Sequence, residues 1–209
     1  MPQLPRDRLA SDRQPCWRIR CDPDPDPVQV LGDRLRCIAH VVSPSITLST
    51  RRRVLRQHGA AARRLAWIDL HTGLGPSGVG ERIFACADDP AAYTRAKAWW
   101  GNGITSIYDG SSTSAFLTGL MWMSAYQECP QAEYTGIAME YGTQPTDKVM
   151  YALRGDHWLH LHPEAPAALR QQIKQDLMDA FYVDTDEWRT QIVEQAMDAM
   201  HQAATGLGA

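Results

Sequence analysis

A histidine and a glutamate stand at the ends of two apolar segments, where an α/β protein places its reactive side chains. His71 ends the run Leu65-Ala-Trp-Ile-Asp-Leu-His71 and precedes the glycine-rich stretch 72–78. Glu140 lies just before Gly142, near the end of a second such segment. Open α/β sheets bind ligands at the carboxyl ends of their strands. We therefore expect His71 and Glu140 to face one crevice. The alternative for Glu140 is a carboxylate satisfied by the backbone donors of its own turn.

The elements that must position these two residues alternate between strand and helix. Apolar runs and turn signals predict four strands, at 66–70, 82–86, 104–108 and 134–141. They predict helices at 51–63, 91–100, from Ser111 or Ser112 towards Glu128, at 146–161, 166–183 and 184–204. Residues 72–78 are predicted to continue neither strand nor helix. The order indicates an α/β fold with a mixed or mainly parallel sheet flanked by helices and a helical C-terminal tail.

Composition sets limits on the class of protein. The 209 residues carry a net charge of −3, which gives no electrostatic reason to expect a nucleic-acid partner or a membrane surface. No apolar run approaches the roughly 20 residues of a bilayer span, and the first residues lack the apolar core of a secretory signal. The five cysteines are unevenly spaced without a C-x-x-C pair, as expected for free thiols. We expect a cytoplasmic protein.

The chain divides near residue 50. Residues 1–50 contain the run Asp22-Pro-Asp-Pro-Asp-Pro27 and little apolar periodicity, which predicts a poorly ordered or atypical leader. Residues 51–209 are patterned as an α/β domain. A frameshift or a wrong start assignment is an alternative origin for the leader.

Two segments resemble the later active-site motifs of the zinc metallocarboxypeptidase superfamily. They are Trp67-Ile-Asp-Leu-His-Thr-Gly-Leu-Gly-Pro76 and Gly136-Ile-Ala-Met-Glu-Tyr-Gly-Thr143. The likeness is closest to an uncharacterised bacterial branch known as a domain of unknown function, and it covers about residues 51–207. Two further segments fit that branch, Ala152-Leu-Arg-Gly-Asp-His-Trp-Leu159 and Asp179-Ala-Phe-Tyr-Val-Asp-Thr-Asp-Glu-Trp188. The resemblance implies a carboxypeptidase-like domain, truncated at its amino end.

The resemblance also implies roles for single residues. His71 matches the third zinc ligand of the family, and Glu140 matches its general base. Zinc lowers the pKa of a bound water, and a nearby carboxylate takes the proton during attack on an amide. Asp69 projects to the same face of the strand as His71, where it either orients the imidazole or is an ordinary strand-end carboxylate. The implied substrate is a peptide or an acylated amino acid.

One departure from the family is decisive for activity. The family takes its other two zinc ligands from an upstream His-x-x-Glu motif, and no histidine of this chain is followed three residues later by glutamate. The arginine that clamps the substrate carboxylate between the family's zinc motifs is also missing. Catalytic zinc needs three protein ligands. We therefore expect an impaired or inactive hydrolase, or alternatively a non-catalytic remnant that acts through self-association or a complementing chain.

Several other residues are weaker candidates for a functional role. Tyr108 loosely resembles the loop tyrosine that closes over substrate in the family, although a turn-flanking aromatic is the alternative. Arg82 and Arg154 could each bind a substrate carboxylate, or form surface salt bridges. The motif His157-Trp-Leu-His-Leu-His162 could chelate a transition metal, or simply place imidazoles at a helix C-terminus.

Overall fold

The structure is a computed structural model that describes residues 46–209, with side chains from Ser49 onward. Most of the predicted leader lies outside the described residues. Residues 51–209 cluster into one unit by their contacts. The division of the chain near residue 50 into a leader and a domain stays a prediction.

The regular elements follow one another with short connections. The strands are β1 (Arg64–Ser77), β2 (Gly80–Phe84), β3 (Thr105–Ser106) and β4 (Glu133–Gly142). The helices are α1 (Ile46–Val54), α2 (Pro90–Trp100), α3 (Ser124–Glu128), α4 (Thr146–Leu161), α5 (Ala167–Phe181) and α6 (Asp186–Gly208). A π-helical turn, Leu55–Gly59, extends α1, and a 3₁₀ turn, Met121–Met123, precedes α3.

The four strands form one mixed sheet in the order β1-β4-β2-β3. β1 pairs with β4 in parallel, β2 pairs with β4 antiparallel, and β3 pairs with β2 in parallel. The predicted α/β class, with a mainly parallel sheet, flanking helices and a helical tail, is confirmed. Within residues 46–209, no helix is both long enough and apolar enough to cross a bilayer.

The central strand β4 decides how the two faces of the sheet are covered. Ile137, Met139 and Tyr141 point to one face and join a core that includes side chains of α2 and α6. Ala138 points to the other face, where it packs in a smaller cluster with Ile83 and Trp122. This alternation is the one predicted for β4, because successive side chains of a strand point to opposite faces.

Helix boundaries follow the capping residues. The Asp89 side chain accepts a hydrogen bond from the Ala91 amide, Pro90 occupies the first turn of α2, and Gly101 ends the helix. Thr185 caps α6 by accepting from the amide of Trp188, whose ring is buried. The predicted helices at 91–100 and 146–161 match α2 and α4 closely, and the last two differ from α5 and α6 only at their ends.

The glycine-rich stretch after His71 was predicted to leave the sheet, and this prediction is wrong. β1 continues to Ser77, and its register with β4 shifts between Thr72 and Ser77. Gly73 and Gly75 have positive φ values of 137° and 95°, which only glycine adopts readily. At Gly142 an added Cβ would lie 2.0 Å from the Pro76 carbonyl oxygen. The glycines therefore let an irregular strand pass close to β4.

The predicted helix from Ser111 towards Glu128 is also wrong. Only Ser124–Glu128 is α-helical there; residues 111–120 are bends and irregular chain, and Met121–Met123 is a 3₁₀ turn. Ser111 caps no helix, because its hydroxyl accepts from the Ser106 amide at 2.9 Å. The third strand, predicted at 104–108, comprises only Thr105–Ser106. The bond between the Ser106 amide and the Ser111 hydroxyl is a local side-chain bond of the kind that competes with strand pairing.

The helix predicted at residues 51–63 is shifted towards the amino end. It begins at Ile46, stops being α-helical at Val54 and ends as a π-helical turn at Gly59. A Cβ at Gly59 would lie 2.4 Å from the Cys129 Sγ atom. The close packing of this turn against Cys129 therefore requires glycine.

Met139 tests the importance of the central strand for stability. Its side chain is fully buried at 0% exposure, so Met139→Ala should lower the free energy of unfolding by about 2–5 kcal/mol. Met150→Ala is the matched control, because Met150 is 51% exposed on α4 and should change stability by less than about 0.5 kcal/mol. Urea unfolding followed by tryptophan fluorescence measures both. Equal losses in the two variants would contradict this assignment of the core.

Candidate functional site

The structure brings His71 and Glu140 together. They are direct partners in the parallel pairing of β1 with β4, so their side chains project from the same face of the sheet. This face also carries Asp69, and we call it the site face. The ring of Trp122 meets the His71 ring edge-on, with centroids 6.1 Å apart. The expected meeting of the two strand-end residues is thus present in the fold.

A third polar residue extends this pair across the sheet. Glu81 of β2 is the direct antiparallel partner of Glu140. His71, Glu140 and Glu81 therefore form one cross-strand line, which we call the polar row. Glu81 accepts hydrogen bonds from the Thr105 hydroxyl, at 2.5 Å, and from the amide and hydroxyl of Thr113. These bonds hold the turn-rich segment that follows β3 against the site face.

Glu140 is half-buried and interacts with residues of both strands that flank β4, β1 and β2. Burial is the main cause that raises its pKa above the ordinary glutamate value. The Leu74 amide donates a hydrogen bond to its Oε1 atom at 3.1 Å, and this bond and the nearby His71 favour the ionised form. The negative charge of Glu81 acts in the opposite direction. A carboxylate with a raised pKa is suited to accept and return a proton.

Asp69 contacts the His71 ring directly. Its Oδ2 atom lies 2.9 Å from Nε2 of His71. The hydrogen bond with Asp69 is the main cause that raises the His71 pKa, and burial acts against it. Since Nε2 is engaged, Nδ1 is the ring nitrogen left for another partner. Asp69 thus contacts the imidazole, and its role in orienting His71 stays a prediction.

Arg51 of α1 adds a positive charge on the Asp69 side of the site. Its Nε atom donates a hydrogen bond to the Ser124 hydroxyl at 3.2 Å. Burial is the main cause that lowers its pKa, and the charge of Asp69 partly offsets this. Ser124 lies two residues after Trp122, whose ring contacts His71. Arg51, Asp69 and His71 therefore lie close together at one end of the site face.

A cleft opens beside the polar row. Its volume is about 610 Å³, and Leu74, Thr113, Thr143 and Thr146 are among the residues that line it. Leu74 is the residue whose amide binds Glu140, so the cleft lies beside that carboxylate. Its walls come from the irregular end of β1, the segment after β3 and the start of α4. A small molecule has room there, and its connection to the polar row is Leu74, because His71, Glu140 and Glu81 do not line the cleft.

The structure does not bring Arg82 and Tyr108 to the polar row. Arg82 points to the opposite face of the sheet, where its Nη1 atom donates to the Trp100 carbonyl oxygen at 2.8 Å and its Nη2 atom lies 2.7 Å from Asp198. The Tyr108 hydroxyl donates to the Cys86 carbonyl, and its ring packs near Phe84 and Phe116. Arg82 is engaged in a surface salt bridge, the alternative to carboxylate binding. The Tyr108 hydroxyl is held by its bond to the backbone that follows β2.

The remaining candidates lie on α4 or directly after it. Arg154 is exposed. His160 faces Asp156 at 3.4 Å, and His162 follows the last residue of α4, with Glu164 at 3.0 Å and the Trp158 ring stacked at 4.1 Å. Across residues 46–209, no group of three or more His, Cys, Asp or Glu side chains is arranged to hold a metal ion. The imidazoles of His160 and His162 lie at the C-terminus of α4, which is the arrangement that the helix-terminus alternative describes.

Sequence reasoning missed Arg51, Glu81 and Trp122. Glu81 carried a signal, because it immediately precedes the predicted strand at 82–86 and alternates with Arg82. Its partner on β4 depends on antiparallel register, which the sequence does not reveal. Arg51 stands in a run of three arginines without a distinguishing mark. Trp122 reaches His71 only through the irregular chain that was predicted to be a helix.

Together these features define an α/β domain with a histidine–carboxylate site on one face of a mixed sheet. The chain belongs to the family described as protein of unknown function DUF2817, whose model matches residues 42–195. The comparisons with curated proteins and with solved structures gave no match. The family match establishes membership and assigns no activity.

The contact between Asp69 and His71 gives a direct prediction. Asp69→Asn should lower the pKa of His71, because a neutral amide stabilises the imidazolium less than a carboxylate does, while the burial that opposes the charge remains. A pH titration of the His71 ring by NMR measures this. Asp198→Asn is the control, because Asp198 pairs with Arg82 on the other face. An unchanged His71 pKa in Asp69→Asn would show that the contact does not persist in solution.

Proposed function

We propose that this chain carries part of the active site of a metallocarboxypeptidase-like hydrolase of amide or peptide bonds. In this proposal Glu140 is the general base, His71 is a metal ligand and Asp69 orients His71. The observation that supports it is the direct pairing of His71 with Glu140 on one face of the sheet. The substrate class is a peptide or an acylated amino acid, bound in the cleft beside Leu74.

The surroundings of Glu140 suit a base that exchanges a proton with water. Burial raises its pKa, so protonation costs less than for an exposed glutamate. The amide of Leu74 donates a hydrogen bond to one carboxylate oxygen, Oε1, at 3.1 Å, and Oε2 is the second acceptor of the group. Glu140 can then take a proton from a water on the site face and return it to a leaving amine.

The described residues alone do not fit a catalytic zinc ion. Such an ion requires three protein ligands and would supply a water with a lowered pKa. On the site face, His71 offers Nδ1, Asp69 is bonded to the same imidazole and Glu81 is occupied by Thr105 and Thr113. No set of three suitable ligands occurs within residues 46–209. The proposed site is therefore incomplete in this part of the chain.

Zinc binding tests this incompleteness. We expect weak binding in equilibrium dialysis of the full chain with Zn²⁺, because one histidine cannot hold the ion tightly. His71→Ala should reduce even this weak binding, while His160→Ala, an exposed histidine of α4, serves as the control. Tight one-to-one binding that is lost in His71→Ala would overturn the idea of an incomplete site and would support a complete enzyme.

A second candidate function is an interaction subunit that pairs with itself or with a complementing chain. β1 is an edge strand of the described sheet, and Leu70 is 49% exposed although its partner Met139 is fully buried. An apolar strand at the edge of a sheet is a template for pairing with another chain. This candidate needs no metal.

Light scattering coupled to gel filtration distinguishes the second candidate. If β1 mediates association, the chain should show a concentration-dependent dimer or larger species, and Leu70→Arg should shift it to monomer. Tyr151→Arg is the matched control, because Tyr151 is an exposed aromatic on α4, at 68%. A wild-type chain that stays monomeric at every concentration would eliminate self-association through this edge.

A further inference from the structure

The last helix, α6, carries apolar side chains over more of its surface than the domain covers. Its buried side chains pack into the core beside β4 and α2. They are Trp188, Ala196, Ala199 and Ala203. A second set of apolar residues on α6 is exposed, and we call it the outer stripe. It consists of Val193, Met197, Met200, Ala204 and Leu207.

The two sets together are wider than a surface helix requires. At about 100° per residue they span about 180° of the helix, whereas a stripe of about 100° is enough to face a core. Four members of the outer stripe are between 36% and 58% exposed. The outer stripe is therefore apolar surface that the fold of the described domain leaves uncovered.

The spacing of the outer stripe is that of a coiled-coil interface. Its members follow one another at intervals of four, three, four and three residues. Such a repeat, 3.5 residues on average, keeps apolar side chains on a line along which a second helix can pack. A membrane surface would instead favour lysine and arginine beside the apolar residues, and the residues that border the stripe towards solvent are Glu194 and His201. The pattern therefore favours a helix as the partner.

The outer stripe is complementary to itself when two copies of α6 run antiparallel. If the two-fold axis passes between Met197 and Met200, each of these methionines faces the other type in the second copy. Val193 then faces Ala204, so that a larger side chain meets a smaller one. Methionine adapts its shape to its neighbours, which suits the centre of such a contact. In a parallel pair Ala204 would face itself and leave a gap between the helices.

The same arrangement pairs the polar residues that border the stripe. It brings Glu194 of each copy to His201 of the other, and an imidazole donates a hydrogen bond to a carboxylate. Both side chains are exposed. A parallel pair would place Arg189 beside Glu194 instead, but Arg189 already binds Asp184 and Asp186 of its own chain. Charge complementarity therefore agrees with the antiparallel arrangement.

We propose that the outer stripe is an interface at which two copies of this chain associate, with their α6 helices antiparallel. Helix α6 lies on the face of the sheet opposite the site face, so this association leaves the polar row of each copy uncovered. The proposal needs neither a metal nor a substrate and does not rest on the proposed hydrolase. It also involves other residues than the β1 edge.

Sedimentation velocity of the full chain over a range of concentrations tests the proposal. We expect a dimer, and Met197→Glu should raise its dissociation constant at least about a hundredfold, because both copies would bury a carboxylate at the centre of the contact. Met178→Glu is the matched control and should leave the dimer unchanged, since Met178 is 60% exposed on α5. Thermal melting followed by circular dichroism checks that both variants are folded.

Exchanging the polar pair tests the antiparallel orientation. Glu194→Lys and His201→Asp, each alone, should weaken the dimer about fivefold, because each replaces an attractive pair by an unfavourable one at two symmetric positions. The double variant should recover the affinity of the wild-type chain, since the new lysine of one copy faces the new aspartate of the other. A parallel dimer would not show this recovery.

Several outcomes would overturn the proposal. A wild-type chain that stays monomeric at every concentration would do so, whatever else covers the stripe. So would a dimer that survives Met197→Glu, one that Met178→Glu weakens equally, or a double variant that fails to recover. A dimer that Leu70→Arg dissociates and Met197→Glu does not would assign the association to the β1 edge instead. The zinc experiment bears on the proposed hydrolase alone and leaves this result standing.

Discussion

The parallel pairing of β1 with β4 is the constraint on which the site depends. Side chains repeat every two residues along a strand, so a shift of one position would turn His71 away from Glu140 and bury it among apolar groups. The irregular end of β1 holds the pairing in place, because Gly142 allows the Pro76 carbonyl to approach closely. The Trp188 indole donates to the Gly142 carbonyl at 2.9 Å and links this point to α6. The core and the site are thus fixed by the same contact.

The two faces of the sheet have different coverings, and this difference separates stability from chemistry. Helices α2 and α6 close one face over large side chains such as Phe84 and Met139, which are almost completely buried. Turns and a short helix cover the other face, where Glu81 and Thr113 attach the chain to the strand edge. Segments without regular structure carry fewer internal hydrogen bonds, so their local unfolding requires less free energy than that of the core. A site on this face can exchange ligands while the opposite core stays intact.

Charge along the site face is ordered from one end to the other. The positive Arg51 lies beside Asp69, which holds the His71 ring, and Glu140 and Glu81 follow as two carboxylates. Their environments differ, because Glu81 receives several hydrogen bonds from Thr105 and Thr113 whereas Glu140 receives one from Leu74 among the contacts described. Neighbouring carboxylates in unlike environments are a common means of separating proton-transfer roles.

The sequence by itself determined the fold class, β4, the helices α2 and α4, and the prediction that His71 and Glu140 share a site, because apolar periodicity, caps and strand ends are local signals. Only the tertiary structure decided which other side chains surround these two residues. Register across the sheet placed Glu81 beside Glu140, and long-range packing brought Arg51 to Asp69. It also decided that the chain after His71 remains a strand and that the stretch from Ser111 stays irregular, because close approach to β4 and side-chain bonds to Glu81 outweigh local propensity.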